Sequence, residues 1–184
     1  MSAAESQTFN AAVVEKFGQE VTVKEIDLPQ PGPNQALVKV LTSGICHTDL
    51  HALEGDWPVK PEPPFVPGHE GVGEVVELGP GEHDVKVGDI VGNAWLWSAC
   101  GTCEFCITGR ETHCPDAEYG GYTQNGSFGE YMLVDTRYAA RIPEGVDYLE
   151  AAPILCAGVT VYKALKQSEA RPGQFMVISG IGGL

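Results

Sequence analysis

The stretch Ala99 to Cys114, A-C-G-T-C-E-F-C-I-T-G-R-E-T-H-C, holds four of the six cysteines in this chain. No other feature limits the fold as tightly. Cys100, Cys103 and Cys106 stand three apart and Cys114 follows eight later. Three chemistries suit such a loop: disulfides, an iron–sulfur cluster, or a closed metal site. Disulfide frameworks belong to small secreted chains. This chain has 184 residues, 43% of them hydrophobic and 20% charged, which is enough to bury a core without covalent staples.

The choice between cluster and metal ion rests on spacing. Bacterial ferredoxin runs read C-x2-C-x2-C-x3-C-P, and Pro115 does follow Cys114. However, the last gap is seven residues and the run occurs once. A structural zinc needs four thiolates from a loop able to fold around one ion, and a tight C-x2-C-x2-C half with a returning cysteine meets that need. Zinc is therefore the favoured reading. Iron would betray itself by visible absorption.

Net charge is −14. Such a surface repels phosphate backbones, so nucleic acid is a poor partner. No Lys/Arg run suggests an anionic membrane, and no apolar stretch reaches the ~18 residues of a membrane span. The first ten residues, M-S-A-A-E-S-Q-T-F-N, lack the basic and apolar regions of a signal peptide. A cytoplasmic setting, where thiols stay reduced, is expected.

Short apolar runs divided by Gly and Pro predict a mainly β domain of barrel type. Strands are expected at 9–17, 21–27, 36–41, 71–78 and 128–134, with a turn into another strand over 85–92 and a short helix over 48–53 ended by Gly55. The segment 57–68 is too proline-rich for regular structure. Gly71-Val72-Gly73 is not a nucleotide loop, because position 76 is Val and no helix pattern follows. From Tyr148 the apolar spacing turns helical, with Pro153 and Gly158 expected to divide two helices. Residues 174–179, Q-F-M-V-I-S, predict a buried strand. G-I-G-G-L then opens like the turn of a Rossmann unit, with Gly180 for the tight turn and Gly182 for close approach to a pyrophosphate.

Cys46 and Cys156 lie in different predicted elements. Each alone reads as an ordinary buried thiol. Cys46 opens C-H-T-D-L-H, however, and P-G-H-E-G sets His69 and Glu70 between turn glycines. Two Cys and one His would hold zinc with a fourth position open, a catalytic geometry.

Together, S-G-I-C-H-T-D-L-H, G-D-W-P, P-G-H-E-G-V-G-E-V-V, the four-cysteine loop, G-S-F-G-E-Y and A-P-I-L-C-A-G-V-T-V-Y-K-A-L resemble the zinc-dependent medium-chain alcohol dehydrogenases. The likeness is greatest to the yeast-type and bacterial ethanol-active branch. The resemblance implies a GroES-like catalytic domain over 1–156 and the start of an incomplete α/β Rossmann cofactor domain over 157–184. It implies a catalytic zinc on Cys46, His69 and Cys156, a structural zinc on Cys100, Cys103, Cys106 and Cys114, and NAD as the hydride acceptor.

By the same resemblance Thr48 bonds the substrate oxygen, His51 relays the proton, Asp49 orients His69, and Glu70 assists ligand exchange. His47 faces the cofactor pyrophosphate, Thr160 the nicotinamide side, and Gly180, Gly182, Gly183 and Leu184 the dinucleotide. Trp57 and Trp95 wall a pocket for ethanol and other short primary alcohols, or else are plain core. A homo-oligomer, commonly a tetramer, is implied. The sequence as given reads as the N-terminal portion of such an enzyme, expected to bind zinc yet transfer little hydride alone. The other readings are a non-enzymatic zinc-binding β-domain and an electron-transfer protein built on the cysteine loop.

Overall fold

The computed structural model describes residues 7–180. The period-two pattern of the first strand is plain in its burial: Phe9, Ala11 and Val13 point inward from β1 (Thr8–Val13) while the residues between them face outward or partly so. β1 pairs antiparallel with β2 (Thr22–Asp27) as a hairpin. It is tied to the rest of the domain by bridges from Ala11 to Gly129 and from Val14 to Phe65.

The main sheet is antiparallel and five-stranded, in the order β8-β3-β4-β5-β9. Its members are β3 (Gln35–Ser43), β4 (Gly71–Leu78), β5 (Ile90–Asn93), β8 (Tyr131–Asp135) and β9 (Ala140–Arg141). A minor pair, β6 (Leu96–Ser98) with β7 (Glu118–Tyr119), flanks the cysteine loop. Register irregularities at Leu37/Val38 and Val40/Thr42 interrupt the β3–β4 ladder, the kind of break that bends and twists a strand. Val38, Val75, Val91, Met132 and Val134 fill the space beneath this sheet and are almost wholly buried. Burying each such side chain contributes about 1.5–3 kcal/mol.

The mainly β expectation therefore holds, with strand ends moved by a few residues. β1 stops at Val13 rather than Phe17 because the chain then turns to bridge Phe65. The 128–134 expectation becomes Tyr131–Asp135. The residues before it, 126–128, donate their N–H groups to Val66, Gly68 and Pro67 instead of to a neighbouring strand.

Helix α1 (His47–Glu54) begins at Cys46 and ends at Gly55, whose φ of 61° is the left-handed conformation that glycine takes without steric cost. The next helical region departs from expectation in one respect. α2 (Tyr148–Ala151) runs into a 3₁₀ turn (Ala152–Leu155), and α3 (Ala157–Ser168) follows. The break falls at Cys156, with φ −120° and ψ −77°, whereas Gly158 lies inside α3. Pro153 sits at the start of the 3₁₀ turn, where its missing N–H has no cost.

The buried strand expected over 174–179 does not form. Phe175, Val177 and Ile178 are exposed and in no sheet. A parallel strand needs neighbours for its hydrogen bonds, and the described residues supply none. Gly180 takes a φ of 88°, as a tight turn requires. Gly182, Gly183 and Leu184 lie outside the described residues.

Candidate metal centres and the adjoining pocket

Cys46 occupies the N-cap of α1, where orphan N–H groups gather. The Thr48 N–H points at its Sγ at 3.5 Å. Asp49 closes the capping box, its Oδ2 accepting the Cys46 N–H at 2.9 Å. The other oxygen, Oδ1, lies 3.1 Å from His69 Nδ1. Both side chains are nearly inaccessible, so the carboxylate fixes the ring. With a proton held on Nδ1 toward Asp49, Nε2 keeps its lone pair.

His69 reaches the site on the segment between Phe65 and β4. That segment is held by the stretch 120–128. Gly126 donates to Val66 O at 2.7 Å, Ser127 to Gly68 O at 3.0 Å and Phe128 to Pro67 O at 3.0 Å. The approach is so close that a Cβ on Gly126 would lie 2.1 Å from Gly68 O. Cys156 arrives at the break between the 3₁₀ turn and α3. Its Sγ stands 3.8 Å from Cys46 Sγ, too far for a disulfide and close to the ~3.8 Å edge of a tetrahedron with 2.3 Å zinc–sulfur arms.

One atom of each of Cys46, His69, Glu70 and Cys156 lies within 4.8 Å of all the others. His69 Nε2 is buried with no hydrogen-bond partner. An imidazole nitrogen abandoned in this way is costly unless a cation takes its lone pair. Two sulfurs, an imidazole and a carboxylate are donors that suit zinc.

The electrostatics of the protein without metal agree. Burial acts to raise the Cys46 thiol, but hydrogen bonds from Thr48 and Cys156 and the field of His69 bring it below its ordinary value. Burial, then the neighbouring Cys46 thiolate, push Cys156 up to about 12. Burial acts to lower His69, and Asp49 outweighs it, so His69 sits above the usual range. Burial raises the Glu70 carboxyl, opposed by His69 and helped by Asp49. These groups cannot all adopt their ligating charge states unaided; a divalent cation would let them.

The second donor set is the cysteine loop. Cys103 Sγ lies 3.5 Å from Cys106 Sγ, Cys114 Sγ 3.5 Å from Cys100 Sγ, and Cys100 Sγ 3.9 Å from Cys106 Sγ. All four are free thiols, and Ala99, Ala117 and Tyr138 pack with them. Backbone N–H groups at Thr102 and Cys103 hold Cys100 at about 6, whereas burial and the other sulfurs push Cys106 up to about 12. Two 3₁₀ turns, Cys106–Thr108 and Glu111–His113, fold the loop back on itself.

Beside this donor set opens a cavity of ≈ 290 Å³, lined by His69, Cys156, Thr48, Trp57, Trp95, Leu155, Val159 and Thr160. Trp57 and Trp95 meet edge to face at 6.1 Å, and Trp95 meets His69 the same way at 5.3 Å. His51 lies outside the cavity lining, half-buried, stacked on Trp57 at 5.2 Å and 3.0 Å from an Asp56 oxygen. His47 is exposed, 5.1 Å from His51. The structure thus brings Cys46, Thr48, Asp49, Trp57, His69, Glu70, Trp95, Cys156 and Thr160 to one place. Gly180 is not among them. Leu155, Val159, Tyr119 and Tyr122 were not singled out from the sequence. Tyr122 packs on both tryptophans, yet no local motif marks it.

A β-rich domain with two clustered sets of soft donors, one closed and one beside an apolar cavity, defines the class. The family model described as the alcohol dehydrogenase GroES-like domain matches residues 32–144, and the chain belongs to that family. An alcohol dehydrogenase of Moraxella sp. is 58% identical over 174 residues, 95% of this chain and 52% of that protein. One from Geobacillus stearothermophilus is 55% identical, over 95% of this chain and 51% of that protein. The cobalt- and zinc-bound thermostable alcohol dehydrogenase of Pyrobaculum aerophilum superposes with a TM-score of 0.83 at 29% identity, over 91% of this chain and 50% of that one. The chain spans about half the length of the curated relatives it matches.

Proposed function

We propose that this chain serves the zinc-dependent oxidation of short primary alcohols to aldehydes, with NAD taking the hydride. The observation that carries it is the orphaned Nε2 of buried His69, facing two sulfurs 3.8 Å apart at the edge of an apolar cavity. Cys46, His69 and Cys156 would hold the catalytic zinc, and Cys100, Cys103, Cys106 and Cys114 the structural one. When bound, the catalytic ion supplies Lewis acidity that makes an alcohol proton easier to lose, and NAD supplies the hydride acceptor.

The protein's own groups do the rest. Asp49 keeps the His69 proton on Nδ1, so Nε2 stays a lone-pair donor. Thr48, on the cavity wall, accepts the alcohol proton at Oγ1 and passes its own on. His51 stands one turn along α1 as the outward proton acceptor, steadied at Nδ1 by Asp56. Trp57, Trp95, Leu155 and Val159 line the cavity with apolar surface and leave room for a short carbon chain. Glu70 would offer a carboxylate oxygen to an ion held there, which would assist exchange of its ligands. His47, Thr160, Gly180, Gly182, Gly183 and Leu184 would contact the dinucleotide. We take 1–156 as the catalytic domain and 157–184 as the opening of a cofactor domain, in a cytoplasmic homo-oligomer. No described helix is long and apolar enough to cross a membrane.

Metal analysis with an activity assay tests this. Two zinc per chain, together with ethanol-dependent reduction of NAD by the full chain (these 184 residues joined to a complete cofactor domain), are expected. Bound iron, or bound zinc without any alcohol oxidation by the full chain, overturns the reading.

A further inference from the structure

Trp95 stands between two spaces. On one side is the ≈ 290 Å³ cavity that includes Thr48, His69 and Cys156. On the other is a larger, mostly apolar space of ≈ 560 Å³ reaching Leu96, Thr112 and Ala164. Trp95, Leu155, Val159 and Thr160 line both. The Trp95 indole is the largest of the four side chains shared by the two spaces, so its angle bears on how much room lies beside the donor set.

Several contacts fix that angle. The Trp95 carbonyl accepts the Gly120 N–H at 3.0 Å, which anchors the backbone. His69 and Trp57 meet the ring at 82° and 79°, and Tyr122 lies tilted at 5.3 Å. Tyr119 is the ring stacked on it, at 5.0 Å and 27°. Tyr122 is tethered elsewhere, its hydroxyl donating to Val59 O. The backbone of Tyr119 is pinned independently of its ring: its carbonyl accepts N–H groups from Tyr122, Thr123 and Gln124, and its own N–H donates to Thr123 Oγ1 at 2.8 Å. The ring is thus free to be removed without dismantling the turn.

We propose that Tyr119 is a specificity-determining positioning residue, whose stacked ring holds Trp95 as the partition between the two spaces. This rests on the alcohol-oxidising function proposed above. Without the Tyr119 ring, Trp95 tilts into the vacated place, the compartments merge and bulky secondary alcohols gain access to the donor set.

Two readouts test it in the full chain, with Tyr119→Ala and Tyr119→Phe. The first is acrylamide quenching of Trp95, made the sole tryptophan by Trp57→Phe and Trp97→Phe. The second, with both other tryptophans intact, is the ratio of kcat/KM for cyclohexanol to that for ethanol. In Tyr119→Ala, quenching is expected to rise about twofold and the ratio about 10- to 100-fold, the range for apolar pocket discrimination. Tyr119→Phe keeps the stack and restores both. A change in only one readout, in neither, or to the same degree in Tyr119→Phe overturns the proposal. Wild-type protein that oxidises no alcohol sinks the functional reading and the selectivity claim with it. The quenching would still report whether Tyr119 holds Trp95, so the two failures are told apart.

Discussion

Asp49 serves two partners with one carboxylate. It closes the cap of α1 through the Cys46 N–H and orients His69 through Nδ1. The same side chain therefore sets the entry angle of one proposed zinc ligand and the tautomer of another. In Asp49→Asn the amide keeps the size but its Nδ2 can donate to Nδ1, which drives the ring proton to Nε2 and blocks the lone pair. Zinc affinity at this centre is expected to fall about 10- to 100-fold, measured by competition with a chelator, while the cysteine loop keeps its ion. His51 makes the opposite case. It touches no proposed ligand, so His51→Gln should slow alcohol turnover with both zinc ions retained. Unchanged turnover in the full chain would remove His51 from the proton path.

At the scale of elements, the cysteine loop and the His69 segment illustrate two kinds of scaffold. The loop has its donors close in sequence, and its buried residues are Ala99, Cys106 and Cys114. Stripping zinc with a chelator is expected to melt residues 99–114 and lower the thermal midpoint, followed by amide exchange and calorimetry; the β3–β4 ladder should persist. The His69 segment depends on distant glycines instead. Gly126→Ala would drive a methyl into Gly68 O, at 2.1 Å, an atom of the backbone that cannot rotate aside. A loss of about 1–3 kcal/mol is expected in denaturant melts, with weaker zinc binding because His69 shifts too. This contrast explains what could be read from the sequence. Cys100 to Cys114 announce a metal loop by spacing alone, and β4 was legible from Gly71 to Leu78 because its pattern is local. The proposed ligand set of Cys46, His69 and Cys156 rests mainly on family resemblance, since those residues share no spacing rule. The threading of 120–128 against 66–68, and the stacking of Tyr119 on Trp95, are pairings across long sequence separations. No periodicity encodes them.

Over the whole molecule, stability is unevenly spread. The sheet core is sealed by residues such as Val38 and Val75, at 0% exposure. α3 has no buried residue, and Val159, Val161, Tyr162 and Leu165 are all at least half exposed. A helix of 12 residues with little tertiary packing is marginal in water, since its nucleation cost is met by few hydrogen bonds. Residues 174–178 add apolar surface, with Phe175 and Val177 almost fully open. For the 184-residue chain alone, amide exchange is therefore expected to be orders of magnitude faster across 157–168 than across β3 and β4, because opening α3 exposes little that was buried. The measurement has a direct bearing on the site, for Val159 and Thr160 wall the cavity from α3 and Cys156 stands at its foot. Zinc at Cys156 should slow exchange in the first turn of α3 and leave the last turn, near Ser168, unaffected. Uniform protection along α3, equal to that of β3, would mean that its apolar face is covered in solution, and the cavity would then have a wall beyond the residues described.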